Sequence, residues 1–136
     1  MILSAGALFK AQDTQKYFLI QRSSNSSYSN KFSLVGGKVH IGEKILDGLS
    51  REINEELGFI PEIIKWAPFN CYNSMDKKFQ YTSIIILTPT EFLPKLNYEN
   101  DGYCWIKDLT TMKLLHPRLR EVIQSKVLMD SIKNFN

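Results

Sequence analysis

Runs of apolar and β-branched residues alternate with short polar stretches in two parts of the chain. Residues 1–9 and 17–21 are two such runs joined by AQDTQK, and residues 62–73 and 79–88 are two more, joined by SMDKK. Short apolar runs separated by polar turn residues are typical of neighbouring strands in a sheet. The pattern therefore predicts a hairpin or meander at the start of the chain and a second hairpin in its middle.

Three other segments lack helical periodicity. Residues 22–31, RSSNSSYSNK, are rich in serine and asparagine and are predicted to form a loop. The following FSLVGGKV predicts two short strand fragments that Gly36 and Gly37 interrupt. A loop punctuated by proline, TPTEFLPKLNYEND, then leads to a short predicted strand, GYCWIK.

Helices are predicted in two places. From Lys44 to Leu57 apolar residues recur at helical spacing, and Gly58 predicts the end of that helix. A second helix is predicted to begin near Pro117 and to continue towards the C-terminus. Strands mixed with a central and a terminal helix predict an α/β domain whose sheet lies between helices. The apolar positions of the terminal helix are Leu119, Val122, Ile123, Val127 and Ile132.

Length and charge limit the classes of protein to consider. The chain has 136 residues without an internal repeat or a linker-like segment, which predicts a single domain over residues 1–136. Its 17 basic and 14 acidic residues are scattered, so the net charge of +3 comes without a block of lysine or arginine. We therefore expect neither a nucleic acid polymer nor a membrane as partner, whereas a small anionic molecule suits this charge.

The N-terminal stretch and the cysteines predict the compartment. MILSAGALF lacks a preceding basic segment and is too short to span a bilayer, so we predict a first strand there and no targeting signal. Cys71 and Cys104 lie in strand-like runs and form no CxxC pair or zinc-like spacing with histidine. Two buried free thiols in a cytoplasmic protein are expected.

The central predicted helix gathers negative charge on one side. On a wheel of about 100° per residue, its apolar residues span an arc of about 120°. Glu52, Glu55 and Glu56 lie together beside that arc, with Gly48 among them. Like charges three and four residues apart weaken a helix, and a glycine inside a helix costs about 1 kcal/mol relative to alanine. The apolar arc consists of Ile45, Leu46, Leu49, Ile53 and Leu57.

Two interpretations account for this acidic face. The carboxylates could hold a divalent cation, with Gly48 leaving room for it, since Mg²⁺ in proteins is commonly bound by a few carboxylates together with water and phosphate. Alternatively, the face could be solvated and partly neutralised by Arg51.

The spacing around the helix is specific. Gly37 is followed after five residues by Glu43, and after seven more by REINEELGF, residues 51–59. This segment resembles the Nudix box, GX5EX7REUXEEXGU with U a bulky apolar residue, at all nine defined positions over 23 residues. The strand order and the strand GYCWIK before a final helix are also similar to Nudix (MutT-like) hydrolases.

The resemblance implies an α/β/α sandwich with a mixed sheet between helices, and hydrolysis of a nucleoside diphosphate linked to another group. Its expected cofactor is Mg²⁺, with Mn²⁺ as a possible substitute. The metal ligands that it implies are Glu52, Glu55, Glu56 and the carbonyl of Gly37. Arg51 is expected to orient the carboxylates, Glu43 to support them, and Gly36 together with Gly37 to let the backbone bend close to the metal.

The expected reaction is attack of water at phosphorus. A divalent ion neutralises the diphosphate and acidifies a bound water, and a carboxylate removes the proton of the water. The base stays open among Glu52, Glu55 and a carboxylate of the loop NYENDGYCW, where Glu99 or Asp101 is the candidate.

The segment before the glycines departs from the family pattern. Phe32-Ser33-Leu34-Val35 stands where members often have WxLP, which alters the turn without touching a metal ligand. Lys38, just after the glycines, is expected either to meet a phosphate or to be a solvated strand lysine.

Substrate contacts are expected from a few residues at strand and loop ends. Arg22 could bind a phosphate or form a surface salt bridge, and His116 could cap the last helix or reach substrate. A nucleobase needs an aromatic surface, although most aromatics belong to the core. The aromatic candidates are Tyr28, Phe32, Tyr72, Phe79 and Trp105.

Several functions stay open within this resemblance. The substrate is expected to be a small nucleotide, of the ADP-ribose, dinucleoside polyphosphate or nucleoside triphosphate type, handled by a monomer or a homodimer. DGYCWI followed by LLHPRLR is also faintly similar to the GDP-sugar branch of the family, in which water attacks the sugar carbon. A Nudix domain that has lost activity and serves as a ligand sensor is the alternative from another class.

Overall fold

The computed structural model describes all 136 residues as seven strands and three helices, with a single turn of 3₁₀ helix at Leu109–Thr111. The helices are α1 (Ile45–Leu57), α2 (Pro117–Ile123) and α3 (Lys126–Lys133). The strands are β1 (Ile2–Ala11), β2 (Tyr17–Arg22), β3 (Phe32–Ser33), β4 (Val35–Val39), β5 (Lys65–Asn73), β6 (Phe79–Thr88) and β7 (Asn100–Ile106).

All seven strands form one mixed sheet around β1. Strand β1 runs parallel to β6 over its whole length and antiparallel to β4 and β2. Strand β2 also pairs with β3 and β7, and β5 forms an antiparallel hairpin with β6. The predicted hairpin in the middle of the chain is confirmed. The first predicted pair is also present, but β1 and β2 meet only at Phe9↔Phe18 and Lys10↔Tyr17.

Side chains on opposite faces of the sheet form two separate cores. On one face Ala5, Ala7 and Phe9 of β1 pack with Leu49 and other residues of α1. On the other face Leu8 of β1 packs with residues of α2 and α3. Because consecutive side chains of a strand point to opposite faces, one buried strand serves both cores. The predicted α/β/α sandwich with a mixed sheet between helices is confirmed.

The boundaries of α1 agree with the prediction, and every residue of its predicted apolar face except Leu46 contacts the core. Gly58 ends the helix with a φ of 83° and donates its N–H to the carbonyl of Asn54, in the left-handed conformation that glycine adopts readily. Leu49, Ile53 and Leu57 are buried, whereas Leu46 is exposed. Leu46 lies in the first turn of the helix, whereas the buried positions of the arc begin at Leu49.

Gly36 and Gly37 do not interrupt the strand, contrary to the prediction. Both lie inside β4 and pair with Gly6 and Ala5 of β1. A Cβ on Gly36 would collide with the carbonyl oxygen of Ala5. The glycine is therefore needed for close approach of two strands and not for a bend.

The single C-terminal helix of the prediction is two helices. Gln124 ends α2, and Ser125 begins α3 by accepting a hydrogen bond from the N–H of Leu128. A serine hydroxyl that caps a new helix competes with continuation of the old one. Val127, predicted on the apolar face, is exposed as a consequence of this break. The prediction of two buried thiols was also wrong for Cys71, which is exposed.

Lys10 is a buried cation that links the sheet to the end of α3. Its side chain is 1% exposed, and its Nζ donates to the carbonyl oxygens of Ile132, Lys133 and Phe135 at 3.0–3.3 Å. The last carbonyls of a helix lack intrahelical partners and carry partial negative charge, which an ammonium group satisfies. Burial lowers the pKa of Lys10. None of the three helices is long and apolar enough to cross a membrane.

We expect Lys10→Met to lower the free energy of unfolding by about 2–4 kcal/mol, because three carbonyls at the end of α3 lose the donor that they share. Urea unfolding followed by circular dichroism measures the change. Lys113→Met, at an exposed lysine, is the matched control and should change stability by less than about 0.5 kcal/mol. Equal stability of the two variants would contradict a structural role for Lys10.

Candidate active site

Arg51 and Glu43 form the shortest ion pair of the structure. Arg51 donates from Nε to Oε2 of Glu43 at 2.9 Å and from Nη2 to Oε1 at 3.1 Å, and the N–H of His40 donates to the same carboxylate at 2.8 Å. The hydrogen bonds from Arg51 and His40 lower the pKa of Glu43 to about 2. A two-pronged pair of this kind holds both side chains in one orientation.

The same guanidinium continues along the acidic face of α1. Its Nη1 donates to Oε1 of Glu52 at 3.0 Å and to Oε1 of Glu55 at 3.4 Å, and its Nη2 also donates to the carbonyl of Lys38 at 2.9 Å. One cation therefore contacts three carboxylates and the backbone of β4. Glu43 raises the pKa of Arg51, chiefly through its hydrogen bonds, so the arginine stays charged.

Glu56 is the carboxylate that Arg51 does not reach. Its side chain is 4% exposed, and its Oε2 accepts a hydrogen bond from the N–H of Gly36 at 3.1 Å. Burial raises its pKa to about 8, and the charges of Glu52 and Glu99 add to that rise. A buried carboxylate with one amide donor and no cation in contact carries negative charge at high cost.

Glu52 lies against the second glycine of β4. A Cβ on Gly37 would come within 2.6 Å of the Cδ of Glu52, so a side chain there would displace the carboxylate. Burial raises the pKa of Glu52, and Glu55 and Glu99 contribute to the rise while Arg51 opposes it. Glu52 and Glu56 thus meet the two consecutive glycines of one strand.

Gly48 has a different role from the predicted one. A Cβ at this position would meet Oε1 of Glu43 at 2.9 Å and Cγ1 of Val39 at 3.2 Å. The glycine lets α1 pack closely on β4 and leaves space for the supporting carboxylate. The prediction that it makes room for a metal between the glutamates was wrong, because its open side faces the sheet.

Glu99 belongs to the same electrostatic group although it is distant in sequence. It lies in the loop before β7, its side chain is exposed, and its charge contributes to the raised pKa of Glu52 and of Glu56. Asn97 ties this loop to α1 by donating to the carbonyl of Glu55 at 3.1 Å and by accepting from the N–H of Glu99 at 3.0 Å. Asp101, the other candidate of this loop, accepts instead from the N–H of Ser24.

The donor set fits a divalent cation in its chemistry. The pKa values of Glu52 and Glu56 are raised because burial and neighbouring acidic side chains outweigh the hydrogen bonds from Arg51 and from the amide of Gly36, and an oxygen-ligated metal ion would offset both causes. No three acidic, histidine or cysteine side chains gather around one point, however, since Arg51 draws Glu52 and Glu55 to itself. An ion here would therefore need oxygen atoms of water or substrate to complete its coordination.

A cavity of about 410 Å³ opens on the other side of the glycines. Gly36, Gly37 and Lys38 form one wall, and β6, the loop after β2 and the start of α2 form the others. Arg22 and His116, both predicted to contact substrate, lie in this wall. The lining comprises Ser4, Arg22, Ser27, Tyr28, Ser33, Leu34, Gly36, Gly37, Lys38, Phe79, Tyr81, Ser83, His116, Arg118, Leu119 and Val122.

Lys38, Tyr28 and Phe79, also predicted as substrate contacts, line the cavity, whereas three other candidates lie elsewhere. Phe32 packs against the core beneath α2 and α3 and does not line the cavity. Tyr72 lies behind the wall, and the guanidinium carbon of Arg118 stacks 3.6 Å from the centre of its ring. Trp105, an aromatic candidate, packs in the core with Phe18 and Phe92.

Two cavity residues were missed from the sequence. Tyr81 is one of several aromatic residues in an alternating strand, and nothing in that alternation distinguishes it. Arg118 stands in the segment HPRLR, where proline after histidine signals a helix start and the arginine alone carries no signal. Only the contacts between β5, β6 and α2 bring them to the cavity.

Comparison with known protein families gives a match over most of the chain. The family model described as NUDIX domain matches residues 2–125. The comparison with curated proteins finds no match.

Solved structures of similar fold come from several organisms. A MutT protein from Methanosarcina mazei Go1 is 24% identical over 96% of this chain and 91% of its own, with a TM-score of 0.72. A MutT structure from a study of Aliivibrio salmonicida and Vibrio cholerae is 19% identical, covers 98% of this chain and 98% of its own, and has a TM-score of 0.71. A bifunctional NMN adenylyltransferase/ADP ribose pyrophosphatase from Francisella tularensis is 16% identical over 96% of this chain and 41% of its own, with a TM-score of 0.69. At these identities the likeness shows the fold.

We expect alanine at the two glycines of β4 to affect different properties, metal affinity at Gly37 and stability at Gly36. Gly37→Ala should leave the free energy of unfolding within about 1 kcal/mol of the original, because only the end of the Glu52 side chain must move, while Mn²⁺ affinity by calorimetry falls about 10-fold or more. Gly36→Ala should destabilise by about 3 kcal/mol or more, because backbone atoms collide. Unchanged Mn²⁺ affinity in a folded Gly37→Ala would contradict this placement of Glu52.

In EDTA we expect Glu56→Gln to raise the free energy of unfolding at pH 8 by at least about 1 kcal/mol. The folded pKa of about 8 lies above the ordinary 4.5. The stability that the neutral carboxyl provides is therefore complete below pH 4.5 and is lost as pH rises towards 8. Chemical unfolding between pH 5 and 8 should show this slope in the original protein and a smaller slope in the variant. Glu62→Gln, at an exposed loop position, is the control.

Proposed function

The chain belongs to the NUDIX domain family, and on that premise we propose that it hydrolyses the diphosphate linkage of a nucleotide derivative by attack of water at phosphorus. The observation that carries this proposal is the pair Glu52 and Glu56, pressed against Gly37 and Gly36 at the edge of a cavity lined by cations. Carboxyl groups that can bind a metal ion on one side of the glycines and basic side chains on the other suit a metal-bound diphosphate derivative.

We assign the cofactor as Mg²⁺, with Mn²⁺ able to substitute. Glu52, Glu55, Glu56 and the carbonyl of Gly37 would hold it. When bound, such an ion neutralises the diphosphate oxygens and lowers the pKa of a bound water. Arg51 hydrogen-bonds to Glu43, to Glu52 and to the carbonyl of Lys38, and so fixes their positions relative to one another. The proposed ligands are therefore held by α1 and β4 together.

Glu99 is the proposed general base. Its carboxylate makes no hydrogen bond or ion pair with the protein, whereas Glu55 is drawn to Arg51 and Glu56 is buried. It is close enough to Glu52 and Glu56 for its charge to raise the pKa of both. In the proposed step the water oxygen bonds to phosphorus, the anhydride bond to the leaving phosphate breaks, and the proton of the water passes to Glu99.

Other parts of the proposal come from the sequence and the family. The substrate is a small nucleotide of the ADP-ribose, dinucleoside polyphosphate or nucleoside triphosphate type. One domain over residues 1–136, working in the cytoplasm as a monomer or homodimer, is the arrangement we propose. Attack at a sugar carbon and a silent ligand sensor are outcomes that the experiments below distinguish.

We expect the protein to release phosphate-containing products from at least one of ADP-ribose, diadenosine polyphosphates, NADH or the nucleoside triphosphates when Mg²⁺ or Mn²⁺ is present. Glu52→Gln should lower kcat/KM by about 100-fold or more, since a metal ligand is lost. Glu62→Gln should retain full activity. Tight binding of a nucleotide without turnover of any compound would favour the sensor.

Glu99→Gln should lower kcat by about 100-fold with little change in KM, because a base acts in the reaction step more than in binding. Reaction in ¹⁸O water gives an independent readout of the attacked atom. Label in a phosphate product is expected, whereas label in a sugar product would show attack at carbon.

A further inference from the structure

The cavity beside the glycines offers hydrogen-bond donors with permanent charge and no acidic or amide side chain. Its lining includes Arg22, Lys38 and Arg118, four serines and two tyrosines, but no aspartate, glutamate, asparagine or glutamine. A carboxylate or amide is the usual acceptor for the amino groups of adenine, guanine or cytosine. The strong groups of this cavity therefore favour an acceptor-rich, negatively charged ligand.

Both arginines are held in place and keep donors available. Arg22 donates from Nε to the carbonyl of Ser27 at 2.7 Å, and its two terminal nitrogens have no protein partner. Arg118 donates from Nη1 to the carboxylate of Glu121 at 3.3 and 3.4 Å and lies 3.6 Å above the ring of Tyr72. Its Nη2 and Nε have no protein partner. A guanidinium fixed on an aromatic ring loses little freedom when it binds an anion.

His116 adds a neutral hydrogen-bond donor, and its pKa shows the effect of the positive charges around it. Its Nδ1 accepts a hydrogen bond from the N–H of Arg118 at 3.1 Å, which leaves the ring proton on Nε2. Burial and the charges of Arg22 and Arg118 lower its pKa to about 4. Both guanidiniums therefore lie close enough to disfavour a cation at this point, and the same field favours an anion.

Tyr81 completes the donors at the floor. Its hydroxyl has no protein partner, and the absence of a side chain at Gly6 makes space for it, because a Cβ there would collide with that oxygen. The hydroxyl is close enough to Glu56 and Arg22 for both charges to act on it. A donor at this position can reach a ligand that bridges the acidic helix and the arginines.

We propose that this cavity binds a further phosphate group of the substrate, one outside the diphosphate that is cleaved, between Arg22 and Arg118. The assignment rests on the hydrolysis proposed above and narrows its substrate to diphosphates that carry an additional phosphate. The diphosphate lies at Glu52 and Glu56, and the extra phosphate enters the cavity beyond Gly36 and Gly37. A volume of about 410 Å³ accommodates a phosphate together with the sugar that carries it.

Matched pairs of compounds test this specificity. Coenzyme A and dephospho-coenzyme A, and likewise NADPH and NADH, share a diphosphate and differ by one phosphate. We expect kcat/KM to be about 10-fold or more higher for the phosphorylated member of at least one pair. A diadenosine tetraphosphate and diphosphate pair tests whether the extra phosphate can instead lie in the polyphosphate chain.

Two arginine variants and one control locate the effect. Arg118→Met and Arg22→Met should each raise KM for the phosphorylated member about 10-fold more than KM for the unphosphorylated member, with little change in kcat. Arg120→Met, on the exposed face of the same helix, should change neither. Thermal unfolding of each variant excludes a loss of folded protein.

Binding without turnover separates this inference from the proposed reaction. Calorimetry in EDTA should show adenosine 3′,5′-bisphosphate binding about 10-fold or more tightly than AMP, with the difference lost in Arg118→Met. If no compound is hydrolysed but this preference is present, the reaction is wrong and the phosphate site stands. The phosphate site is overturned by the combination of three results: hydrolysis occurs, neither member of any pair is preferred, and the bisphosphate binds no more tightly than AMP.

Discussion

The structure depends on the close approach of one helix and one strand, across which two carboxylates are held at unfavourable positions. Gly36 and Gly37 allow β4 to pack against β1 on one side and against Glu52 and Glu56 on the other. Any larger residue at these positions would separate either the strands or the carboxylates. Burial of Glu56 with a single amide donor costs stability in the absence of a cation. The divalent ion that we propose for this site would offset that cost.

Arg51 divides the acidic face of α1 into a balanced and an unbalanced part. Its guanidinium satisfies Glu43 fully and Glu52 in part, and it keeps Glu55 near the surface. Glu56 is left without a cation. A wholly neutralised face would have no affinity for a metal ion, and a face without any arginine would repel itself and weaken the helix. The structure therefore contains the partial neutralisation by Arg51, and metal binding by the acidic face stays a prediction.

The cavity continues the charge pattern with the opposite sign. The acidic side chains of Glu52 and Glu56 and the basic side chains of Arg22 and Arg118 lie on the two sides of the glycines. A ligand with phosphates separated by a sugar has the complementary arrangement only when a metal ion accompanies its diphosphate. The hairpin of β5 and β6 and the short helix α2 have no catalytic group, yet they hold Arg118 on Tyr72 and so define the far end of that pattern.

Local patterns in the sequence determined most of the strands, the limits of α1 and which glutamates lie on its acidic face. Alternation and period-3.6 spacing act over a few residues, and Gly58 ends its helix through its own backbone. The tertiary structure alone decided which carboxylates are balanced, that Gly48 serves packing, and that the terminal helix breaks at Ser125. It also decided that Lys10 satisfies the end of α3 and that residues 22, 81 and 118 share a cavity. Burial and electrostatic energy depend on contacts between residues far apart in the chain, and no local spacing encodes those contacts.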